Sequence, residues 1–370
     1  MSRVKLGDVA REHKETIKGD KSNYPIVGLE HLIPENIRLT QWDYNKENTF
    51  TKVFRKGCVL FGRRRAYLKK AVYADFDGIC SGDITVIEAI PGKILPELLP
   101  FVIQNDDLFD YAVGKSAGSL SPRVKWEHLK NYEFELPDIE KQHELAKILW
   151  SIVETKESYE RLMAATDELV KSQFIELAKC QKGSTKLSYY LDLDIKNASK
   201  ELSKESEIVY IEISSIDNSV NRVVSPSKLK FKDAPDSAKQ LLKIGDVLVS
   251  LVRPNLRKIA INTIAGDNVV GTSGFCVLRS NEKATKEFLK SVVLSDEFTE
   301  KMISLSTGST YPTIKTDNVL DYPVPLLEMD DIDSFSDLVR QSDKSKFHIR
   351  KLIQMQIAIW QKGGKIYANI

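Results

Sequence analysis

Two stretches of the chain carry a long amphipathic period. From Asp138 to Lys182, forty-five residues contain neither proline nor glycine, and Pro137 and Gly183 close the stretch on either side. Leu145, Ile148, Leu149, Ile152, Tyr159, Leu162, Met163, Leu169, Val170, Phe174 and Leu177 recur at steps of three, four and seven, with Lys and Glu elsewhere, which predicts one apolar face of a single helix. About 35 helical residues reach roughly 50 Å, the length of a spacer rather than of an ordinary core helix. A second such stretch, Leu327 to Lys362, lies between Pro325 and Gly363. Displacing the first stripe by 190 positions superposes the two: Leu145 falls on Phe335, Ile148 on Leu338, Leu149 on Val339, Tyr159 on Ile349, Leu162 on Leu352, Met163 on Ile353, Leu169 on Ile359 and Val170 on Trp360. The matching predicts an antiparallel helix pair in which each helix covers the other's stripe.

The repeat extends into the segments between the helices. GCVLFGRRRAYLKKA (57–71) aligns with GDVLVSLVRPNLRKI (245–259), with Gly57, Val59, Leu60, Arg65, Leu68 and Lys70 identical in the second copy. SAGSLSPRVKWEHLKNYEFEL (116–136) aligns with STGSTYPTIKTDNVLDYPVPL (306–326) at the same displacement of 190. Weaker pairings join 81–87 to 273–279 and 4–8 to 185–189. Internal repetition of this kind decides the architecture. Short apolar runs at Val59–Phe61, Ile84–Ile90, Val247–Leu251 and Phe275–Leu278 predict strands, and Ile94–Ile103 and Lys283–Val293 predict helices. The expected fold is therefore α+β with a pseudo-two-fold repeat: a block at 1–137, a long helix at 138–182, a second block at 183–326, and a second long helix with a short tail at 327–370. Antiparallel helices would put the two blocks at opposite ends of the pair.

Composition narrows the class. A chain of 370 residues with 42% hydrophobic and 29% charged positions is globular, and it contains no apolar run of membrane-spanning length. The N-terminus lacks the apolar core of a signal peptide. Cys58, Cys80, Cys180 and Cys276 form neither a disulfide framework nor a metal-ligand spacing, so a cytoplasmic location is the expectation. A phosphate-binding loop, a dinucleotide fingerprint, a paired-histidine metal motif, an amino-methyltransferase tetrapeptide and a nucleophile elbow are all missing, so no catalytic or metal residue is assigned. The net charge of +2 conceals local concentrations.

Those concentrations point to a polyanion. Arg63, Arg64, Arg65, Tyr67, Lys69 and Lys70 lie in one run without an acid, and the equivalent run holds Arg253, Asn255, Arg257 and Lys258. Arg forks onto guanine or phosphate, Asn onto adenine, and Lys and Arg release counterions from a duplex. A solvated basic hairpin is the plainer reading of one such run, but recurrence at the same place in both copies favours DNA. A second constellation comprises Lys115, Ser116, Ser119, Ser121, Arg123 and Lys125, with its copy at Ser306, Ser309, Thr310, Tyr311, Thr313 and Lys315. Small hydroxyl residues around a glycine let a backbone approach phosphate; a plain turn ahead of a helix is an equal reading. Arg38, Gln41, Trp42, Tyr44, Arg222 and Lys228–Lys232 fall outside the repeated signals and are weaker candidates.

Block–helix–block–helix, with Gly118-Ser119-Leu120-Ser121-Pro122-Arg123-Val124-Lys125 and Gly308-Ser309-Thr310-Tyr311-Pro312-Thr313-Ile314-Lys315 ahead of the helices, resembles the specificity subunit of type I restriction-modification systems. Glu135 to Gln142 is similar to that family's approach to its conserved helix; the second copy, Pro325 to Asp330, lacks the glutamine. The resemblance implies two target recognition domains reading a bipartite duplex, with the helices setting the half-site spacing. It implies docking of two methyltransferase subunits and, through them, restriction subunits, with S-adenosylmethionine, ATP and Mg²⁺ held by those partners. It transfers no base-contacting residue. Glu154, Lys156, Glu160, Lys344, Lys346 and Arg350 are candidates for the docking face. A non-catalytic scaffold for two copies of a protein is the alternative.

Overall fold

The computed structural model describes residues 2–179 and 183–366, with side chains described as far as Met355. Cys180, Ile359 and Trp360, named above, therefore fall outside what is described, wholly for Cys180 and in their side chains for the other two. The chain divides into two compact units, one made of Met1–Arg161 with Ile349–Ile370, the other of Leu162–His348.

In the first unit, strands β1 (Ser2–Lys5), β2 (Ala10–Glu12), β3 (Ile26–Val27), β4 (Lys52–Phe54), β5 (Val59–Gly62), β6 (Ala71–Tyr73), β7 (Gly78–Cys80), β8 (Ile84–Ala89) and β9 (Glu133–Leu136) form three sheets. The largest has the order β2-β8-β5-β6, a smaller one β3-β7-β4, and β1 pairs with β9. Successive side chains of a strand point to opposite faces, and here both faces are dry. Val59, Phe61 and Ile87 pack with Leu99, Phe101, Leu108 and Phe109 of the short helices on one side. Leu60, Val72, Ile84 and Val86 pack against Val27, Phe54 and Cys80 on the other. That is why β5 reads as a continuous apolar run instead of an alternating one.

The second unit repeats the plan. Its strands are β10 (Ser184–Lys186), β11 (Leu191–Asp192), β12 (Glu207–Ile211), β13 (Ile216–Asp217), β14 (Arg222–Val223), β15 (Ser227–Lys230), β16 (Ala238–Leu241), β17 (Val247–Ser250), β18 (Ile259–Ile261), β19 (Val269–Thr272), β20 (Phe275–Ser280) and β21 (Pro323–Pro325). The order β11-β20-β17-β18 reproduces β2-β8-β5-β6, and β12-β19-β16 reproduces β3-β7-β4, with one parallel and one antiparallel neighbour in each case. Strands β13, β14 and β15 extend the second copy's sheets. The expected α+β internal repeat is the observed fold.

The long helices run over Ile139–Lys179, 41 residues, and Met329–Ile366, 38 residues. Within the second unit they are antiparallel: Asp167 pairs with Lys346 at 2.5 Å, while Phe174, further along the first helix, meets Phe335, earlier on the second, at 5.7 Å. The stripes do not simply cover each other. Ala146 and Leu149, with Leu145, Trp150 and Val153, pack into the first block's own core. Ile332, Phe335 and Val339, with Val170, Phe174 and Leu177, pack into the second. Ile148, Leu162, Leu169 and Leu352 stand exposed, Leu338 and Ile353 are half-buried, as are Ile152 and Tyr159, and Ile349 is buried. The physical reason is area: a layer of sheet and short helices offers a helix more apolar surface than one neighbouring helix does.

The two helix starts are held differently. Gln142, 2% exposed, accepts from the Leu95 N–H at 3.0 Å and donates to the Pro137 carbonyl at 2.9 Å. Its counterpart 190 positions on is Ile332, fully buried. There the buried Tyr190 hydroxyl takes over, accepting from the Leu327 N–H at 3.0 Å and donating to the Pro325 carbonyl at 2.9 Å. Leaving a buried amide without its partner costs about 1–3 kcal/mol. Gln142→Leu and Tyr190→Phe should each lower unfolding free energy by that amount, read by denaturant titration. Unchanged midpoints would mean that neither group anchors its helix.

Candidate nucleic-acid interface

The repeated basic runs fold into the same backbone motif. After β5 the Arg63 N–H donates to the Asp83 carbonyl and the Val124 N–H to that of Arg63, both at 3.0 Å; after β17, Leu251 donates to Gly274 and Ile314 to Leu251, both at 2.9 Å. Arg65 N–H then donates to the Pro122 carbonyl at 2.8 Å, and Arg253 N–H to that of Pro312 at 2.7 Å. Each arginine opens a one-turn 3₁₀ helix, Ala66–Leu68 or Pro254–Leu256, and each turn is closed by a second cation, Lys69 or Arg257. All four flanking residues are left-handed, with φ of 53° and 51° at Arg65 and Lys69, and 51° and 47° at Arg253 and Arg257. A side chain in that region costs about 1–2 kcal/mol, and such strain persists where the surroundings impose it.

Against each turn lies the Gly-Ser hairpin. Ala117 and Arg123 exchange backbone hydrogen bonds of 3.0 and 2.9 Å, and Thr307 and Thr313 exchange two of 2.9 Å. Gly118 (φ 114°) and Gly308 (φ 97°) make the reversal that a side chain would strain. The apices are solvent-facing, with Leu120 89% and Tyr311 63% exposed. Behind them, Lys125 and Lys315 cap short helices at Trp126–Leu129 and Thr316–Leu320.

The structure therefore brings the two predicted constellations of each block together, and it divides their cations. Arg64 reaches Ser121 Oγ at 3.1 Å and Asp83 at 3.7 Å. Arg123 is on Asp83 at 2.7 Å, Lys69 on Asp106 at 2.6 Å, and Lys70 donates to the Leu29 carbonyl at 2.7 Å. In the second block Arg257 is on Asp296 at 2.6 Å and Lys258 donates to the Ile216 carbonyl. These residues brace the motif. The Arg63 Nε is buried. Arg65, Lys115, Lys125 and Lys315 make no ion pair among the described residues, and Arg253 lies over the Tyr311 ring at 4.5 Å. Lys115 stands 5.8 Å from the Tyr111 ring centroid. Tyr67, Ser119, Asn255, Ser309, Thr310 and Thr313 are exposed, whereas Ser116 and Ser306 turn inward onto the carbonyls of Ala112 and Ile303.

Five of the weaker candidates and four of the docking candidates have partners within the chain; Lys230 and Lys232 pair with Glu205, and Lys156 pairs with Glu160. Arg38 faces the first long helix, over Trp150 and beside Glu154 and Glu157. Trp42 packs on Phe76 at 4.7 Å, and Arg222 lies over Phe347. Lys346 pairs with Asp167, and Glu154 with Arg38. The sequence reading missed the bracing acids. Asp106 and Asp296 stand 190 apart and were findable by the same displacement; Asp83 has no acidic counterpart and left no signal.

The electrostatics follow from these pairs. The Arg123 guanidinium hydrogen-bonded to Asp83 holds that carboxyl below its ordinary value, with Arg64 and Arg63 adding to it. Arg257 does the same for Asp296. Burial pushes the Cys58 thiol up to about 11 and those of Cys80 and Cys276 to about 12, which makes them packing groups rather than nucleophiles. No helix among the described residues is long and apolar enough to cross a membrane.

Each block thus locks a strained cationic turn to a Gly-Ser hairpin, and each is followed by a long helix. Residues 1–164 match the family model described as the type I restriction modification DNA specificity domain. A stretch of 91 residues is 37% identical to the type I restriction enzyme HindI specificity subunit of Haemophilus influenzae; it covers 24% of this chain and only 20% of that relative. Over 98% of its length the chain shares the fold of the type I restriction-modification system S subunit from M. genitalium, covering 95% of that chain (TM-score 0.60, 13% identity). It also shares the fold of a chain from a structural study of complex assembly and conformational transition of the type I R-M system, with 98% and 97% covered (TM-score 0.55, 19% identity).

Because Asp83 titrates below its unfolded value, its contribution is present above the ordinary carboxylate range and is lost as pH falls through the folded value. Asp83→Asn should mimic that loss. Amide exchange at Ala117 and Arg123 should quicken about fivefold, an opening easier by about 1 kcal/mol, while Thr307 and Thr313 keep their protection. Equal loosening of both hairpins would show that Asp83 does not brace the first.

Proposed function

We propose that this chain is the DNA-reading, non-catalytic specificity subunit of a type I restriction-modification complex. Its two blocks act as target recognition domains, bounded approximately at 1–137 and 183–326, on an asymmetric bipartite duplex. The long helices set the half-site separation and dock two methyltransferase subunits. S-adenosylmethionine, ATP and Mg²⁺ belong to the partner subunits. The observation that carries the reading is the pair of equivalent turns that hold Arg65 and Arg253 left-handed beside an exposed hairpin. Arginines on strained backbone and without an ion pair meet phosphate without breaking one, Arg253 giving up at most its contact with the Tyr311 ring. The divergence around them, Ser121 against Tyr311 and Arg123 against Thr313, suits two different half-sites.

Glycine adopts the left-handed region without strain, so Arg65→Gly and Arg253→Gly separate folding from binding. Each should leave stability level or raise it by about 1 kcal/mol. Each should also weaken duplex binding and reduce the salt slope by about one phosphate contact. DNA binding that is insensitive to salt and to both substitutions would sink the reading in favour of a protein scaffold.

Half-sites read from one face of B-DNA lie about one turn, ~34 Å, apart. A four-residue insertion between Arg161 and Leu162, where the first helix passes from one compact unit to the other, should change the accepted spacer and preserve both half-sites. Mapping methylated adenines with the cognate methyltransferase co-expressed reads this directly. An unaltered spacer would show that helix length does not set it.

A further inference from the structure

Arg38 and Arg222 lie outside every repeated sequence signal, and no fixed displacement superposes them: Glu157 and Phe347 are 190 apart, but the two arginines are only 184 apart. The sheets nevertheless make them equivalents. Val59 on β5 pairs with Tyr73 on β6, and Arg38 bridges Tyr73 in parallel. Val247 on β17 pairs with Ile261 on β18, and Arg222 bridges Ile261 in parallel. Val59 and Val247, and Tyr73 and Ile261, are each 188 apart. Both arginines therefore extend from the same edge of the same sheet, beyond the strand that follows the cationic turn.

Both also land on the same place of a long helix. The Arg38 guanidinium lies 4.5 Å from the Trp150 ring centroid, its Nε 3.2 Å from Glu157 and its Nη2 3.5 Å from Glu154. Residues 150, 154 and 157 are spaced four and three apart, one face of the helix. Trp150 is itself fixed by donating from its indole N–H to the Glu97 carbonyl at 2.9 Å. In the second unit the Arg222 guanidinium lies 5.6 Å from the Phe347 ring centroid, and Phe347 is the repeat equivalent of Glu157.

A helix seated only along its first turns is free to pivot beyond them. The first helix is seated in its block from Gln142 to Val153, and the second from Ile332 to Asp343, which pairs with Lys290 at 3.1 Å. Glu157 and Phe347 lie one turn beyond Val153 and Asp343, ~6 Å along the axis, so a contact there extends the seat and sets the angle between block and helix. We propose that Arg38 and Arg222 are positioning residues, equivalent clamps that fix the angle of each recognition block on its long helix and thereby the spacer the subunit accepts. This rests on the DNA-reading function proposed above. The clamps are unequal. The first combines a ring and two carboxylates, and the second is a ring contact on an exposed phenylalanine.

The test uses the full chain assembled with its cognate methyltransferase, and duplexes whose spacer is native, one base pair shorter or one longer. Arg38→Ala and Arg222→Ala should keep both half-site sequences and the native-spacer rate. Each should lose about fivefold to tenfold of the discrimination against the off-length spacers, the effect expected for a lost guanidinium–ring contact. Arg38→Lys, which keeps the charge near Glu157 but not the planar stack, should recover part of the loss. Glu157→Phe, which copies the second unit's contact, should recover more than Glu157→Ala. A merely structural role would lower all rates together and leave the spacer ratio alone. Folded variants with unchanged spacer discrimination would overturn the clamp while the DNA-reading function stands. A wild-type complex with no chain-dependent methylation would instead overturn that function, and the clamp with it.

Discussion

A helix of 41 residues has an apolar stripe that it cannot bury by itself, and the architecture follows from where that stripe goes. Its first turns sink into the block that precedes it, through Ala146 and Leu149. Its last turns join the second block's core, through Val170, Phe174 and Leu177, alongside Phe335 and Val339 from the other long helix. Among the described residues, each core thus includes segments of helices that run on beyond the block. A short amphipathic helix would have closed one core and stopped there.

The repeat is conserved in geometry more strictly than in residues. Gln142 and Tyr190 share no position in the alignment, yet each satisfies the backbone at the start of a long helix from a fully enclosed site. Arg38 and Arg222 likewise reach equivalent points from segments of unequal spacing along the chain. A buried polar backbone group must find a partner, and the chain is indifferent to which side chain supplies it.

The charged groups divide into those that build and those that face solvent. Asp83, Asp106 and Asp296 turn what read as a run of equivalent cations into a braced turn carrying a few unpaired ones. With Lys69 and Arg257 held by acids, the arginine that opens each turn is left without an ion pair among the described residues: Arg65 is exposed, and Arg253 is half-buried over the Tyr311 ring.

Periodicity, the 190-residue displacement and the two Gly-Ser motifs were enough to read a duplicated block-and-helix chain, the positions of the main strands and the two segments that meet as turn and hairpin in each block. These are local or repeated signals, and local chemistry writes them directly into residue order. Which apolar stripe meets which core, which of Arg63 to Lys70 is braced, and that Arg38 faces Trp150 rather than solvent were decided only by the tertiary structure. Each depends on a partner distant along the chain, such as Asp83 for Arg123 or Tyr73 for Arg38, and residue order carries no mark of the choice. The acids at 106 and 296 are the intermediate case, visible once the repeat is known and anonymous before it.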